Sequence, residues 1–178
     1  GDADVIAAVA GLTLNAPLVV DPVMVSKHGH ALLAAAATEA LIGQLLPVTT
    51  LLTPNAHEAA ALTGAPVQTL AQAEAAARSI ARLGPRAVLV KGGHLEGDAA
   101  VDVLFAQGRV THFSGPRIDT RHTHGTGCTY SAAITARLAL GDGLEDAVRG
   151  AKRWLTEALR TAPGLGGGIG PVNHFAGT

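Results

Sequence analysis

Short apolar runs alternate with longer segments of helical periodicity along the first half of the chain. Three of these runs have the length and composition of strands that are buried on both faces: residues 18–20, 50–52 and 87–90. Strands separated by helices at intervals of about thirty to forty residues are typical of βαβ units and a parallel sheet. The pattern therefore predicts one α/β layered domain over residues 1–178.

Polar caps and breakers set the bounds of the predicted helices. Asn55 can cap a helix that runs to Leu62, and Gly64 is expected to stop it. Thr69 can cap the following helix. Pro47 is expected to end the helix before the second strand. The predicted helices are residues 5–14, 31–46, 56–62, 70–83, 131–140 and 144–161.

The second half of the chain carries a hairpin pattern and a glycine-rich end. Residues 101–105 and 109–113 alternate apolar and polar positions around a short turn at Gly108, which predicts a β-hairpin. Residues 164–178 are rich in glycine and are expected to form a loop.

Composition narrows the class of protein. Apolar residues make up 48% of the chain and aromatic residues only 3%, so the core must be built from Ala, Val, Leu and Ile. The net charge of −1, with no basic block, argues against nucleic-acid binding. No run approaches the roughly 18 apolar residues of a membrane span, and we see no signal-peptide pattern. One cysteine rules out an internal disulfide and is compatible with a cytoplasmic location, which we expect.

Polar side chains follow each predicted buried strand: Asp21 after the first, Asn55 and Glu58 after the second, and Lys91 after the third. Ligands of open α/β sheets bind beyond the carboxyl ends of the strands, so these positions are candidate site residues. Carboxylates suit Mg²⁺, and a lysine can neutralise a phosphate. Each residue also fits a structural role. Asp21 can stabilise a turn before Pro22, Asn55 and Glu58 have the spacing of a capping pair, and Lys91 can be a solvated strand end.

A small-residue loop at residues 121–131 leads into the predicted helix 131–140 and contains Cys128. Backbone N–H groups at the start of a helix favour an anion and lower the pKa of a nearby thiol. The alternative is that Cys128 is a small buried apolar residue. Together with the strand ends, the loop predicts a phosphoryl-transfer site. There, Cys128 would act either as a base on a substrate hydroxyl or as a nucleophile, and the 125–128 amides would bind the phosphoryl group. The pairs His28/His30 and His122/His124 lack convincing zinc-site spacing, and we predict no metal role for them.

Four motifs occur in order along the chain: VVDPVM at 19–24, LTPNAHEA at 52–59, VLVKGGH at 88–94 and THGTGCT at 123–129. With GPVNHF at 170–175, the chain resembles the hydroxymethylpyrimidine/phosphomethylpyrimidine kinases of thiamine biosynthesis, members of the ribokinase-like superfamily. The resemblance covers essentially the whole chain. It implies a three-layer αβα fold with a mostly parallel central sheet, ATP and Mg²⁺ as cosubstrates, and two successive phosphorylations of one pyrimidine. It also implies a homodimer.

The resemblance assigns roles to individual residues. Asp21 and Glu58 correspond to the metal region, Lys91, Asn55 and Thr126 to nucleotide binding, and Val23 and Cys128 to substrate binding. Gly125, Thr126 and Gly127 match the anion hole, and Cys128 takes the place of the catalytic Asp of most ribokinase-like enzymes. The tail at 170–174 is expected to close near the nucleotide.

The chain departs from the family pattern in three places. The upstream segment of family members is absent, and we expect the sequence to be an incomplete record of a working enzyme. His28-Gly29-His30 replaces a more usual Ser-Gly segment in a mobile loop, and Ile169 stands where a His often precedes Gly-Pro. Two alternatives therefore stay open: a pyridoxal or pyridoxine kinase, and a non-catalytic module that binds a pyrimidine or a phosphate.

Overall fold

The computed structural model describes residues 2–12, 15–24 and 32–177. Its sheet has the order β1-β2-β3-β4-β5. The strands are β1 (Val19–Val20), β2 (Leu51–Leu52), β3 (Ala87–Val90), β4 (Ala99–Ala106) and β5 (Arg109–Pro116). Strands β1, β2 and β3 are parallel neighbours, and β4 is antiparallel to β3. The parallel arrangement predicted from the three apolar runs is therefore confirmed.

Six α-helices lie within the described ranges: α1 (Ala3–Ala10), α2 (Ala35–Ala40), α3 (Ala56–Thr63), α4 (Leu70–Ala81), α5 (Thr126–Ala139) and α6 (Leu144–Arg160). A π-helical turn (Leu41–Leu45) and a 3₁₀ turn (Leu46–Val48) follow α2, and another 3₁₀ turn (Gly92–His94) follows β3. The hairpin strands β4 and β5 are longer than the predicted 101–105 and 109–113.

Several predicted helix bounds differ from the structure, and two of the differences in the first unit have identifiable reasons. The helix predicted to start at Val5 begins at Ala3, because the Asp2 side chain accepts the N–H of Val5 at 3.0 Å and caps the helix. Pro47 does not end a helix but lies at the start of the 3₁₀ turn. Proline is tolerated there because the first N–H groups of a helical segment make no intrahelical hydrogen bond. The helix before it is interrupted by the π-helical turn, and its predicted start, residue 31, lies outside the described residues.

Capping signals in the sequence are confirmed. Asn55 and Thr69 both form complete capping boxes, with Glu58 and Gln72 respectively, and Gly64 ends α3 in the left-handed region. These boxes fix the first turns of α3 and α4. The start of α3 matters most, because it follows β2 directly and carries two of the candidate site residues.

The chain forms two compact units, Gly1–Glu96 with Val101–His112, and Gly97–Ala100 with Phe113–Thr178. The first unit packs aliphatic side chains of the strands against helices, with Leu52, Val88 and Ile80 fully buried. In the second unit the helix α6 packs against the tail through Ala158 and Val172, with Trp154 beside them. Assignment of the whole chain to one kinase domain stays a prediction. Within the described residues, no helix is both long enough and apolar enough to cross a bilayer.

Candidate active site

Four polar residues predicted from the strand ends meet in the first unit, at the carboxyl ends of β1, β2 and β3. We call Asp21, Asn55, Glu58 and Lys91 the strand-end cluster. Asn55 and Lys91 are paired as a parallel bridge, and the Lys91 N–H donates to the Pro54 carbonyl at 2.8 Å. The parallel order of β1–β3 thus brings together residues that are up to 70 positions apart in the sequence.

Lys91 is buried and paired rather than solvated. The residue is only 8% exposed, and its Nζ donates to Asp21 Oδ1 at 2.7 Å. The interpretation of Lys91 as a solvated strand end is therefore wrong. A buried ion pair with this geometry holds both side chains in place, because separating the charges would leave each one poorly solvated.

Glu58 has a structural role in the strand-end cluster. Its carboxylate accepts the Asn55 N–H at 2.7 Å, while the Asn55 side chain accepts the Glu58 N–H at 2.9 Å. This confirms the capping interpretation. Burial raises the pKa of Glu58 above its usual value, and the nearby Asp21 charge adds to the effect. Hydrogen bonds from the Asn55 and Met24 backbones and the Lys91 charge oppose it.

The donor set of the strand-end cluster fits Mg²⁺ only in part. Among residues 2–12, 15–24 and 32–177, no group of three His, Cys, Asp or Glu side chains is placed to hold a metal ion. Two carboxylates, from Asp21 and Glu58, are what Mg²⁺ takes from a protein when phosphate and water supply its other ligands. The cluster therefore suits an ion that arrives with a phosphorylated ligand.

The turn after Lys91 is held by a residue that the sequence interpretation missed. Asp102, 3% exposed in β4, accepts the Gly92 N–H at 2.8 Å. Only glycine fits at position 92, because a Cβ there would collide with the Val101 carbonyl. A charged residue inside the otherwise apolar strand Ala99–Ala106 was the available signal.

In the second unit, α5 begins five residues before its predicted start at Ser131. Gly125 is the N-cap, with a φ of 76° that favours glycine, so Thr126, Gly127 and Cys128 form the first turn. The Thr126 hydroxyl donates to the Thr123 carbonyl at 2.8 Å. Helix propensity did not indicate this start, because glycine and threonine are weak helix formers. The predicted anion site thus lies within the first turn itself, where backbone N–H groups and the helix dipole favour negative charge.

Cys128 is exposed, so its interpretation as a small buried apolar residue is wrong. It borders a groove of about 630 Å³. Small apolar residues of α5 form part of the groove wall, and Trp154 and His174 also line it. The thiol is therefore accessible at the helix start, as a residue that handles a substrate proton must be.

The tail segment around 170–174 contacts the start of α5. The His124 N–H donates to the Gly170 carbonyl at 3.0 Å, and Thr129 Oγ1 is hydrogen bonded to His174 Nε2 at 3.2 Å. The Asn173 N–H donates to a carbonyl of α6 at 2.9 Å. The glycine-rich end has no helix or regular strand over 164–177, as predicted, yet its backbone is anchored. Thr129 and His174 belong to the motifs at 123–129 and 170–175, but no role was predicted for either side chain.

Three further positions that the sequence singles out are Val23, His28 and His30. Val23 is 45% exposed and its N–H donates to the Asp21 carbonyl at 2.9 Å, so it lies directly beside the strand-end cluster. His28 and His30 lie outside the described residues. The substrate-binding role of Val23 stays a prediction.

Comparison with known proteins finds kinases that are similar to this chain over most of its length. The family model for phosphomethylpyrimidine kinase matches residues 1–173. A hydroxymethylpyrimidine/phosphomethylpyrimidine kinase from Streptomyces coelicolor is 51% identical over 160 residues, which are 90% of this chain and 59% of that protein. The chain thus spans less than two thirds of this relative.

Two solved structures show the shared fold. Pyridoxal kinase from Staphylococcus aureus, solved with AMP-PCP, aligns with a TM-score of 0.91 at 32% identity, covering 100% of this chain and 66% of that one. A phosphomethylpyrimidine kinase from Clostridium difficile aligns with a TM-score of 0.68 at 41% identity, covering 80% and 57%. The predicted ribokinase-like α/β fold is therefore confirmed.

Proposed function

The chain belongs to the phosphomethylpyrimidine kinase family, and from that premise we propose that it transfers the γ-phosphoryl group of ATP to a hydroxymethylpyrimidine and then to the resulting monophosphate. The observation that carries the proposal is the strand-end cluster. Three adjacent parallel strands end in a buried lysine and two carboxylates, at the edge of the sheet where such folds bind ligands.

The charges of the strand-end cluster support a metal-bound nucleotide rather than a free one. With Glu58 ionised, Lys91 offsets only one of the two carboxylates, so the cluster carries one excess negative charge. A free polyphosphate would be repelled by that charge. A Mg²⁺ ion would neutralise phosphate charge, with Asp21 and Glu58 as its protein ligands, and Lys91 would then bind a phosphate oxygen.

The start of α5, taken by itself in the second unit, also supports phosphoryl transfer. The N–H groups of the first turn, with Gly125, Thr126 and Gly127, would receive the γ-phosphoryl group. The substrate oxygen forms its bond to the γ-phosphorus while the bond to the β-phosphate oxygen breaks and ADP leaves. Cys128, as thiolate, accepts the proton of the hydroxyl. Positioning and electrostatics supply most of the rate enhancement in such reactions.

A coupled assay of ADP release tests the proposal with three acceptors: hydroxymethylpyrimidine, its monophosphate and pyridoxal. We expect Mg²⁺-dependent ADP release with the first two. Release with pyridoxal alone would identify a pyridoxal kinase instead. No release with any acceptor, while nucleotide or pyrimidine still binds in calorimetry, would favour the non-catalytic module.

The pyridoxal kinase alternative has one specific observation in its favour. The Staphylococcus aureus pyridoxal kinase gives the higher TM-score, 0.91 against 0.68 for the Clostridium difficile phosphomethylpyrimidine kinase. Sequence identity points the other way, at 32% against 41%. Because a scaffold hosts several functions while side chains set the substrate, we give the identity more weight. The homodimer stays a prediction, which sedimentation velocity of the purified protein can test.

A further inference from the structure

Two exposed histidines face each other beside the strand-end cluster, in the first unit. The rings of His57 and His94 have their centroids 5.1 Å apart, with the planes tilted by 51°. His57 is in the first turn of α3, and His94 ends the 3₁₀ turn Gly92–His94. The proposed kinase chemistry uses neither ring.

The separation of the rings matches what one shared metal ion requires. With metal–nitrogen bonds of about 2.0–2.1 Å and ring nitrogens about 1.1 Å from the centroid, two imidazoles at a tetrahedral angle have centroids about 5 Å apart. Each imidazole has two nitrogens, so one can bind metal while the other keeps a hydrogen bond.

Both histidines belong to turns whose backbone is already fixed by hydrogen bonds. The capping box of Asn55 and Glu58 fixes the start of α3, and the Asp102 carboxylate fixes the Gly92 N–H at the start of the other turn. A site on anchored backbone loses little conformational freedom when a ligand binds. Little rearrangement is therefore needed to chelate an ion.

We propose that His57 and His94 form a binding site for a divalent transition-metal ion of the Zn²⁺ or Ni²⁺ class, with water in its remaining positions. Imidazole nitrogens prefer these ions, whereas Mg²⁺ prefers the carboxylates of the buried Asp21 and Glu58. The proposal does not rest on the proposed kinase function. A bound ion links the start of α3 to the turn after β3, and it stabilises the folded chain by mass action.

Calorimetric titration of Zn²⁺ into the tag-free protein tests the site, with excess Mg²⁺ present throughout. We expect one site in the wild type, at least tenfold weaker binding in His57→Ala and in His94→Ala, and no such site in the double variant. His112→Ala is the matched control, because His112 is an exposed histidine of the same unit that contacts Glu74 instead. Its affinity should equal that of the wild type.

A second measurement separates chelation from unspecific binding. Zn²⁺ should raise the Tm of the wild type and of His112→Ala, and the increase should be lost in each of the two single variants. The proposal is overturned if Zn²⁺ binds the double variant as tightly as the wild type, if His112→Ala loses the affinity, or if excess Mg²⁺ abolishes binding. Circular dichroism spectra that match the wild type show that each variant is folded.

Discussion

Removal of the Lys91 charge is the most direct test of how the strand-end cluster is held together. Lys91→Met keeps most of the length and apolar stem of the side chain but leaves Asp21 without its cation. The two side chains are 10% and 15% exposed, so water can replace little of the lost interaction. The Glu58 carboxyl also loses a charge that lowers its pKa.

The magnitude follows from the geometry of the pair. At 2.7 Å and an effective dielectric constant of about 20, the attraction between Lys91 and Asp21 is about 6 kcal/mol before desolvation is counted. Loss of one partner from a buried pair costs about 3–5 kcal/mol, and the slight exposure here favours the lower end. We therefore expect Lys91→Met to lower the free energy of unfolding by about 3 kcal/mol at neutral pH.

A double-mutant cycle separates the pair from general damage. Asp21→Asn combined with Lys91→Met removes both charges, and we expect a coupling energy of about 1–3 kcal/mol in urea unfolding followed by far-UV circular dichroism. Arg78→Met is the control in the same unit, since its ion pair with Glu74 spans 3.9 Å and both side chains are partly exposed, at 47% and 31%. It should cost less than about 1 kcal/mol. A coupling energy indistinguishable from zero would refute the reasoning.

Three further predictions concern Cys128, Glu58 and Asp102. Cys128→Ala should lower turnover by orders of magnitude with little change in ATP affinity, measured by ADP release and calorimetry; near-normal turnover would exclude its role in proton transfer. Because burial raises the pKa of Glu58, its carboxyl contributes most to stability below its usual pKa of 4.5 and loses that contribution as pH rises through the raised value. The Tm of the wild type minus that of Glu58→Gln should therefore fall with increasing pH in this range, and a rise would contradict the assignment. Asp102→Ala should cost about 1.5–3 kcal/mol, because it leaves the buried Gly92 N–H unpaired, and Asp102→Asn should cost less. Equal losses in the two variants would show that the hydrogen bond is unimportant.

Local sequence signals correctly predicted the elements that depend on interactions between residues close together in the sequence. Asn55 and Thr69 start their helices as expected, since a capping box needs only residues within one turn. The run 87–90 forms β3 with the predicted bounds, because a short apolar segment between breakers has few other ways to be buried. The start of α5 depends on the left-handed conformation of Gly125, and there helix propensity predicted the wrong first residue of the helix.

Sequence motifs alone determined the family and named the strand-end residues as a set, because parallel strands that alternate with helices must end at one edge of the sheet. Only the tertiary structure decided what those residues do to one another. It buried Lys91 against Asp21, raised the pKa of Glu58 through burial, and placed the Asp102 carboxylate within hydrogen-bond distance of the Gly92 N–H. It also brought His57 and His94 within 5.1 Å of each other. These relations depend on distance and burial across long sequence separations, which no local pattern of residues encodes.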